Sequence, residues 1–158
     1  KGVVQQVADP IEIYSAPKNR FVAEFIGKIN SLSGEVESVG PRVLTARTKE
    51  GLITVENPKY DFKKGQKVDL LVRPEAVHFT TQEETKSGNT LEGKIRFREF
   101  LGEKVEYEIE VHDSIIVLTS FAPRIQEIHS ELEDVSITLQ SDRIHVFPSG
   151  ESFSEADY

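Results

Sequence analysis

"LSGEV" at Leu32–Val36 and "LEGKI" at Leu91–Ile95 share one pattern: Leu-x-Gly, a spacer, then a β-branched residue. In "LEGKIRFREF", Leu91, Ile95 and Phe97 alternate with Glu92, Lys94, Arg96 and Arg98, the period of a half-buried strand. A second match follows in the same order. "VDLLVRPEAVHF", from Val68, lines up with "VSITLQSDRIHV", from Val135, apolar position against apolar position. The pattern predicts a mainly β chain made of two copies of one unit, about 31–80 and 90–148. Each copy opens on a Leu-x-Gly strand and closes on a strand, a break and a strand. Neither is long enough to bury a good core alone, so the copies are expected to pair and exchange strands in a barrel-like body.

"GNTLEGKI", Gly88–Ile95, also carries two glycines and a lysine at the spacing of a phosphate-binding loop. Ile95 stands where a magnesium-coordinating hydroxyl belongs. A phosphate loop joins a strand to a helix, whereas strand periodicity continues here beyond Gly93. Gly93 answers to Gly34, not to a phosphate.

Further strands are expected at "RVLTART", "LITVEN", "KVEYEIEVH" and "SIIVLTSF", with "TTQEETKSGNT" as an exposed linker between the copies. Two short helices precede them. In "DPIEIYSAP", Asp9 caps, Pro10 takes the first helical position, Glu12 has the capping-box spacing and Pro17 ends the helix. "NRFVAEFIG" sets Phe21, Val22, Phe25 and Ile26 on one face, with Gly27 placed for a C-terminal cap. Helices this short must pack against something, either the barrel or another chain, which favours a dimer. The opening "KGVVQQV" reads as the interior of a strand and the chain lacks methionine, so a piece of a longer protein is expected. Residues 1–30 are assigned to the end of a preceding domain and a helical linker, 31–148 to the β domain. Residues 149–158 form an acidic, frayed tail.

The net charge of −8 disfavours nucleic acid or an anionic membrane as partner. With no cysteine, thiolate catalysis, disulfides and cysteine zinc sites are excluded. His78, His112, His129 and His145 lack ligand spacing, although His78 and His145 match between the copies. No paired carboxylates, nucleophile elbow or calcium loop stands out, so no catalytic, cofactor or metal residue is assigned. "VRPEAV" differs from its counterpart "LQSDRI", so Arg73 and Glu75 are not demanded by the shared unit. Arg73 supplies a planar bidentate donor and Pro74 holds the bend. Arg73, Pro74 and Glu75 are interface candidates, with a local ion pair in a turn as the plain alternative. Phe21, Val22, Phe25 and Ile26 are candidates of the same kind.

"KGVVQQVADPIEIYSAPKNRFVAEFIGKINSLSG" resembles the junction between the ATPase and C-terminal regulatory domains in ATP-binding subunits of ABC importers. Gly2, Gln6, Pro10, Glu12, Ile13, Tyr14, Pro17, Asn19, Phe21, Val22, Ala23, Phe25, Ile26, Gly27 and Asn30 occupy that motif's places, while Ala8 replaces a usual glycine. "LLVRPEAV" resembles the Leu-x-Arg-Pro-Glu motif of the same subunits. The resemblance implies an OB-type domain called TOBE, formed of two intertwined β units and carrying no hydrolysis motifs. It implies that the fragment is not an enzyme, that ATP and magnesium belong to the intact subunit, and that the site is the cytoplasmic face of a membrane. The implied partners are an upstream ATPase domain, a second copy of the subunit and membrane permeases. "FIGKIN" lacks the Met-Asn usual in sugar importers, which points to polyamine, ferric iron or another small solute. The competing expectation is a free-standing OB-type protein binding a small ligand or oxyanion.

Overall fold

Two short helices lead into ten strands among the residues that the computed structural model describes, 4–84 and 88–150. Helix α1 (Pro10–Ser15) begins where the Asp9 carboxylate accepts from the amides of Ile11 and Glu12, at 2.9 and 3.1 Å. Helix α2 (Arg20–Phe25) is capped by Asn19, whose side chain accepts from Val22 N at 3.0 Å. These caps satisfy amide groups that a helix cannot pair within itself. Helix α2 ends on Ile26 in ordinary right-handed conformation. Gly27 has no positive φ and is not the left-handed cap that its position suggested.

The first unit contains β1 (Asn30–Val39), β2 (Val43–Thr48), β3 (Leu52–Glu56), β4 (Lys67–Val72) and β5 (Val77–Phe79). The second contains β6 (Thr90–Phe100), β7 (Lys104–Val111), β8 (Ser114–Phe121), β9 (Asp134–Leu139) and β10 (Ile144–Pro148). They form two five-stranded sheets, ordered β10-β4-β1-β2-β3 and β5-β9-β6-β7-β8. Each sheet thus borrows its end strand from the other unit. The pairing is the same in both: Gly34 lies opposite Val68 as Gly93 lies opposite Val135, and Val72 faces Ile144 as Leu139 faces Val77. Even the irregularities repeat, with bulges between Val36 and Ser38 and between Ile95 and Phe97. One apolar cluster runs through both units, including Leu44, Ile53 and Leu70 from the first and Ile95, Ile109 and Ile137 from the second. The intertwined, OB-type architecture follows from neither half having a closed core of its own.

Gly34 and Gly93 mark the corners where this closure is tightest. A Cβ on Gly34 would lie 2.9 Å from the Arg47 carbonyl oxygen, and one on Gly93 would lie 2.7 Å from that of Glu110. Strand β6 runs straight through Gly93, so "GNTLEGKI" has no helix for a phosphate to meet.

The two copies differ at a strained position near the end of each unit. Gly65 donates to the Val36 carbonyl with φ +89°, and its counterpart Leu132 donates to that of Ile95 with φ +66°. A left-handed leucine costs about 1–2 kcal/mol, and glycine gives back about 0.5–1 through its freer unfolded chain. The Leu132 side chain is 66% exposed and contributes little packing. Leu132→Gly should therefore raise the melting temperature by roughly 1–3 °C, read by calorimetry. A lower melting temperature would show that the backbone there is not strained.

Several sequence expectations are revised. Residues 4–7 form no strand, and residues 1–3 lie outside the described residues. With no sheet edge beside them, Gln5 and Gln6 instead bind the α1–α2 connection: Gln6 Oε1 accepts from Lys18 N at 2.8 Å and Gln5 Oε1 accepts from Asn19 Nδ2 at 3.0 Å. Asn89, assigned to an exposed linker, is buried, while residues 85–87 of that linker lie outside the described residues. Ser149 N donates to the Lys67 carbonyl at 2.9 Å, prolonging the β10–β4 pairing. The rest of the tail, 151–158, lies outside the described residues.

Candidate functional site

Strand β4 is buried on both faces, and the helical segment is the reason. Val68, Leu70 and Val72 point into the shared core, while Asp69, Leu71 and Arg73 alternate onto the outer face and are buried there too. Leu71 packs with Phe147 and with Ala23 and Ile29 of the segment. Arg20 pairs with the buried Asp69 carboxylate, which also accepts from Ser33 Oγ at 3.2 Å. Farther along, the Tyr60 hydroxyl donates to Lys18 O at 2.8 Å, and Lys59 Nζ reaches Ala16 O and Pro17 O at 3.5 and 3.4 Å.

The Arg-Pro-Glu turn sits at the centre of this contact. Pro74 opens a 3-10 turn, Pro74–Ala76, whose counterpart in the second unit is Ser141–Arg143. The bend is thus common to both copies, but the chemistry belongs to the first. Arg73 is 3% exposed; its Nη1 donates to Gly27 O at 3.1 Å and Lys28 O at 3.2 Å. Its guanidinium carbon lies 4.4 Å from the centre of the Tyr14 ring, within cation–π range. Glu75 accepts from the Tyr14 hydroxyl. Burial, then the Glu75 hydrogen bond and charge, push the Tyr14 pKa up to about 12. Burial pulls that of Arg73 below its ordinary value. Arg73 and Glu75 therefore hold the chain's own helical segment, with Pro74 shaping the turn between them, and Arg73 presents no outward face. Glu75 is engaged by Tyr14 in place of the local ion pair with Arg73.

The second candidate group divides. Val22 turns inward beside Ala23, whereas Phe21, Phe25 and Ile26 lie outward, Phe25 at 75% exposure. The Phe21 and Phe25 rings stack with centroids 5.7 Å apart. Phe21 and Phe25, four residues apart, share one face of α2, and the barrel takes Val22 and Ala23 from beside it.

Sequence reasoning missed the part that two residues, Asn30 and Asn89, play in closing the barrel. Asn89 Oδ1 accepts from Thr54 N at 2.6 Å, and its Nδ2 donates to Thr54 O and Leu139 O at 2.8 and 3.1 Å. Asn30 does the same in the other unit, with Oδ1 accepting from Val117 N at 2.8 Å and Nδ2 donating to Val117 O at 2.9 Å. Each amide pins the last strand of the opposite unit's meander, β3 or β8. The signal was present as Asn-x-Leu-x-Gly, in "NSLSG" and "NTLEG". Two open clefts flank these amides, of about 530 Å³ beside Asn89 and about 430 Å³ beside Asn30. In the second, Lys28 Nζ lies 2.8 Å from Glu106, with Glu99, Glu108 and Phe97 alongside. Among the described residues no group of three His, Cys, Asp or Glu side chains is placed to hold a metal ion.

His145, in β10 opposite Leu71, is partly buried. Burial, then the charges of Arg73, Lys59 and Arg143, hold its pKa down to about 4, against an ordinary 6.5. Between those values the unfolded chain binds more protons than the folded protein, so this contribution to stability is complete above about 6.5 and is lost as pH falls to about 4. His145→Gln should flatten the urea midpoint against pH across that window. An unchanged slope would remove His145 from the account.

Comparison with known proteins agrees with the architecture. Residues 70–147 match the family described as TOBE domain. The spermidine/putrescine import ATP-binding protein PotA of Mannheimia succiniciproducens is 34% identical over 121 residues, 76% of this chain and 32% of that protein. Its namesake in Pseudomonas fluorescens is 35% identical over 132 residues, 84% of this chain and 34% of the relative. That of Nitrosospira multiformis is 31% identical over 147 residues, 90% and 40% respectively. This chain thus spans about a third of the length of the curated relatives it matches. Among solved structures, the cytoplasmic molybdate-binding protein ModG with molybdate bound superposes with a TM-score of 0.61 at 14% identity, covering 74% of this chain and 94% of that one. That likeness carries the fold alone. Residues 70–147 are thus assigned to the TOBE-domain family.

Proposed function

We propose that this TOBE-domain chain acts as the C-terminal regulatory and dimerisation part of the ATP-binding subunit of an ABC importer, with a polyamine as the transported solute. The carrying observation is the match to spermidine/putrescine import ATP-binding proteins over 76–90% of the chain. Resemblance of the helical segment to the junction with an ATPase domain supports the same reading. In this role the chain does no chemistry. Nucleotide and magnesium are bound by the ATPase part of the subunit, and the barrel body contributes contacts. A contact between two copies that survives opening of the ATPases keeps them at high effective concentration. The outward stack of Phe21 and Phe25 with Ile26 supplies an apolar surface for the neighbouring ATPase domain or the second copy. Permeases are reached through the ATPase part, which places the protein peripherally on the cytoplasmic side.

Grafting tests this reading. This chain should replace the matching third of a related spermidine/putrescine subunit and preserve polyamine uptake, while the isolated chain neither binds nor hydrolyses ATP. ATP hydrolysis by the isolated chain, or a graft that folds and assembles but transports nothing, would refute it. The oxyanion-binding alternative rests on the fold likeness, which does not specify a ligand.

A further inference from the structure

We propose that the Arg73–Pro74–Glu75 turn is a two-position latch for the helical segment, in which Glu75 serves either Tyr14 or Arg73 but not both. Three of the turn's features lead there. Arg73 is almost wholly buried, yet its Nε and Nη2 have no hydrogen-bond partner among the described residues. Those two N–H groups form the side-on edge of the guanidinium, the edge that a carboxylate takes bidentately. A carboxylate stands two residues along the same turn, on Glu75, and the Tyr14 hydroxyl holds it. The buried cation is left with the carbonyls of Gly27 and Lys28 and the face of the Tyr14 ring.

Docking of the segment thus leaves Nε and Nη2 of a charged group without hydrogen bonds in a site closed to water, which disfavours the docked state. Release reverses both terms. Tyr14 leaves with α1, the guanidinium regains water, and Glu75 is free to close on the vacant edge. Against this stand the packing of Ala23 and Ile29 on Leu71 and Phe147 and the pairing of Arg20 with Asp69. A carboxylate with two exclusive partners, one in each state, is what makes a packed contact bistable. The released state frees the barrel from the segment that precedes it and uncovers Leu71 and Phe147.

Hydrogen exchange on the 158-residue chain tests the latch, following the amides of Ala16, Ala23 and Ile26 in the segment and of Ile109 and Ile137 in the barrel. Tyr14→Phe keeps the ring over Arg73 but takes from Glu75 its docked partner while leaving its pairing with Arg73 in the released state, so segment protection should fall about tenfold with the barrel unchanged. Glu75→Ala removes the tyrosine bond and the released state's ion pair together, so protection should fall no more than about threefold. The double variant Tyr14→Phe/Glu75→Ala should behave like Glu75→Ala, recovering part of the loss. Equal losses in both single variants, with no further loss in the double, would overturn the latch and leave Glu75 a simple strut. No loss in Tyr14→Phe, or a loss shared by the barrel amides, would overturn it too.

Discussion

Asn89→Ala should lower the unfolding free energy by about 4 kcal/mol, the largest single-residue loss expected outside the apolar core. The substitution deletes three hydrogen bonds and leaves Thr54 N–H, Thr54 C=O and one acceptor site on Leu139 without their partner. A buried polar group stripped of its partner costs about 1–3 kcal/mol. Because a cleft of about 530 Å³ opens beside this amide, water can reach the orphaned groups and the lower end applies. Three groups at about 1 kcal/mol each give about 3 kcal/mol. Asn89 also has φ +55°, a conformation in which alanine pays about 1–2 kcal/mol more. Asn89→Gly separates the two contributions, since it removes the amide without the backbone penalty, and it should cost about 1 kcal/mol less than alanine. Asn30→Ala, with two bonds and ordinary backbone, should cost about 2 kcal/mol. Urea midpoints measure the totals. Exchange at Thr54 N–H in one variant and Val117 N–H in the other locates them. Full protection at Thr54 in Asn89→Ala would show that the strand is held by something else.

Gly93→Ala should cost about 3 kcal/mol, and its sign is the informative part. Glycine inside a strand ordinarily weakens it by about 0.5–1 kcal/mol, so alanine would be expected to stabilise. Here the new Cβ would lie 2.7 Å from Glu110 O and 2.7 Å from Ile109 Cγ2. The carbonyl belongs to the paired strand β7, and Ile109 is fully buried, so neither retreats without opening the register. Overpacking of this kind costs about 1–3 kcal/mol, with the upper end set by the rigid backbone neighbour. For a chain of this size that is roughly 6–12 °C in melting temperature. Gly34→Ala meets its nearest atoms at 2.9 and 3.0 Å and should cost less, about 2 kcal/mol. Stabilisation by either alanine would dismiss the corner role.

These two sites also show how far the sequence could be read. The Leu-x-Gly match located both corners because a corner without room for a Cβ leaves a letter behind. The apolar alignment of Val68 onward with Val135 onward carried the strand–turn–strand closure, since burial on a strand constrains every second residue. Asn30 entered only as a place of the junction motif and Asn89 only as part of a linker, although their letters repeat as faithfully. A polar residue at a strand start has an ordinary solvated explanation, and only the distant strand that it binds reveals otherwise. The helical segment was legible in its caps, where signal and partner lie within three residues. Its burial was not. A six-residue amphipathic pattern does not say which of Phe21 or Val22 a neighbour will choose, and the neighbour, the outer face of β4 and β10, is distant in sequence. Arg73 stood out as unlike its counterpart, but its direction, inward onto the chain's own carbonyls, depended on the same distant contact.

The borrowed end strands have a consequence for the order in which the molecule can be made. Ribosomal synthesis delivers the first unit complete through β5, yet its sheet still lacks β10. Until Ile144–Pro148 emerges, the flank of β4 from Val68 to Val72 is an open, apolar edge on a nascent chain. Such an edge invites pairing with whatever strand is near, and β5, built on the same pattern as β10, is the nearest impostor. Long-range closure of this kind also makes for slow folding, because the loop entropy is lost before the final pairing compensates it. A protein assembled from two like halves thus spends its youth vulnerable to its own symmetry.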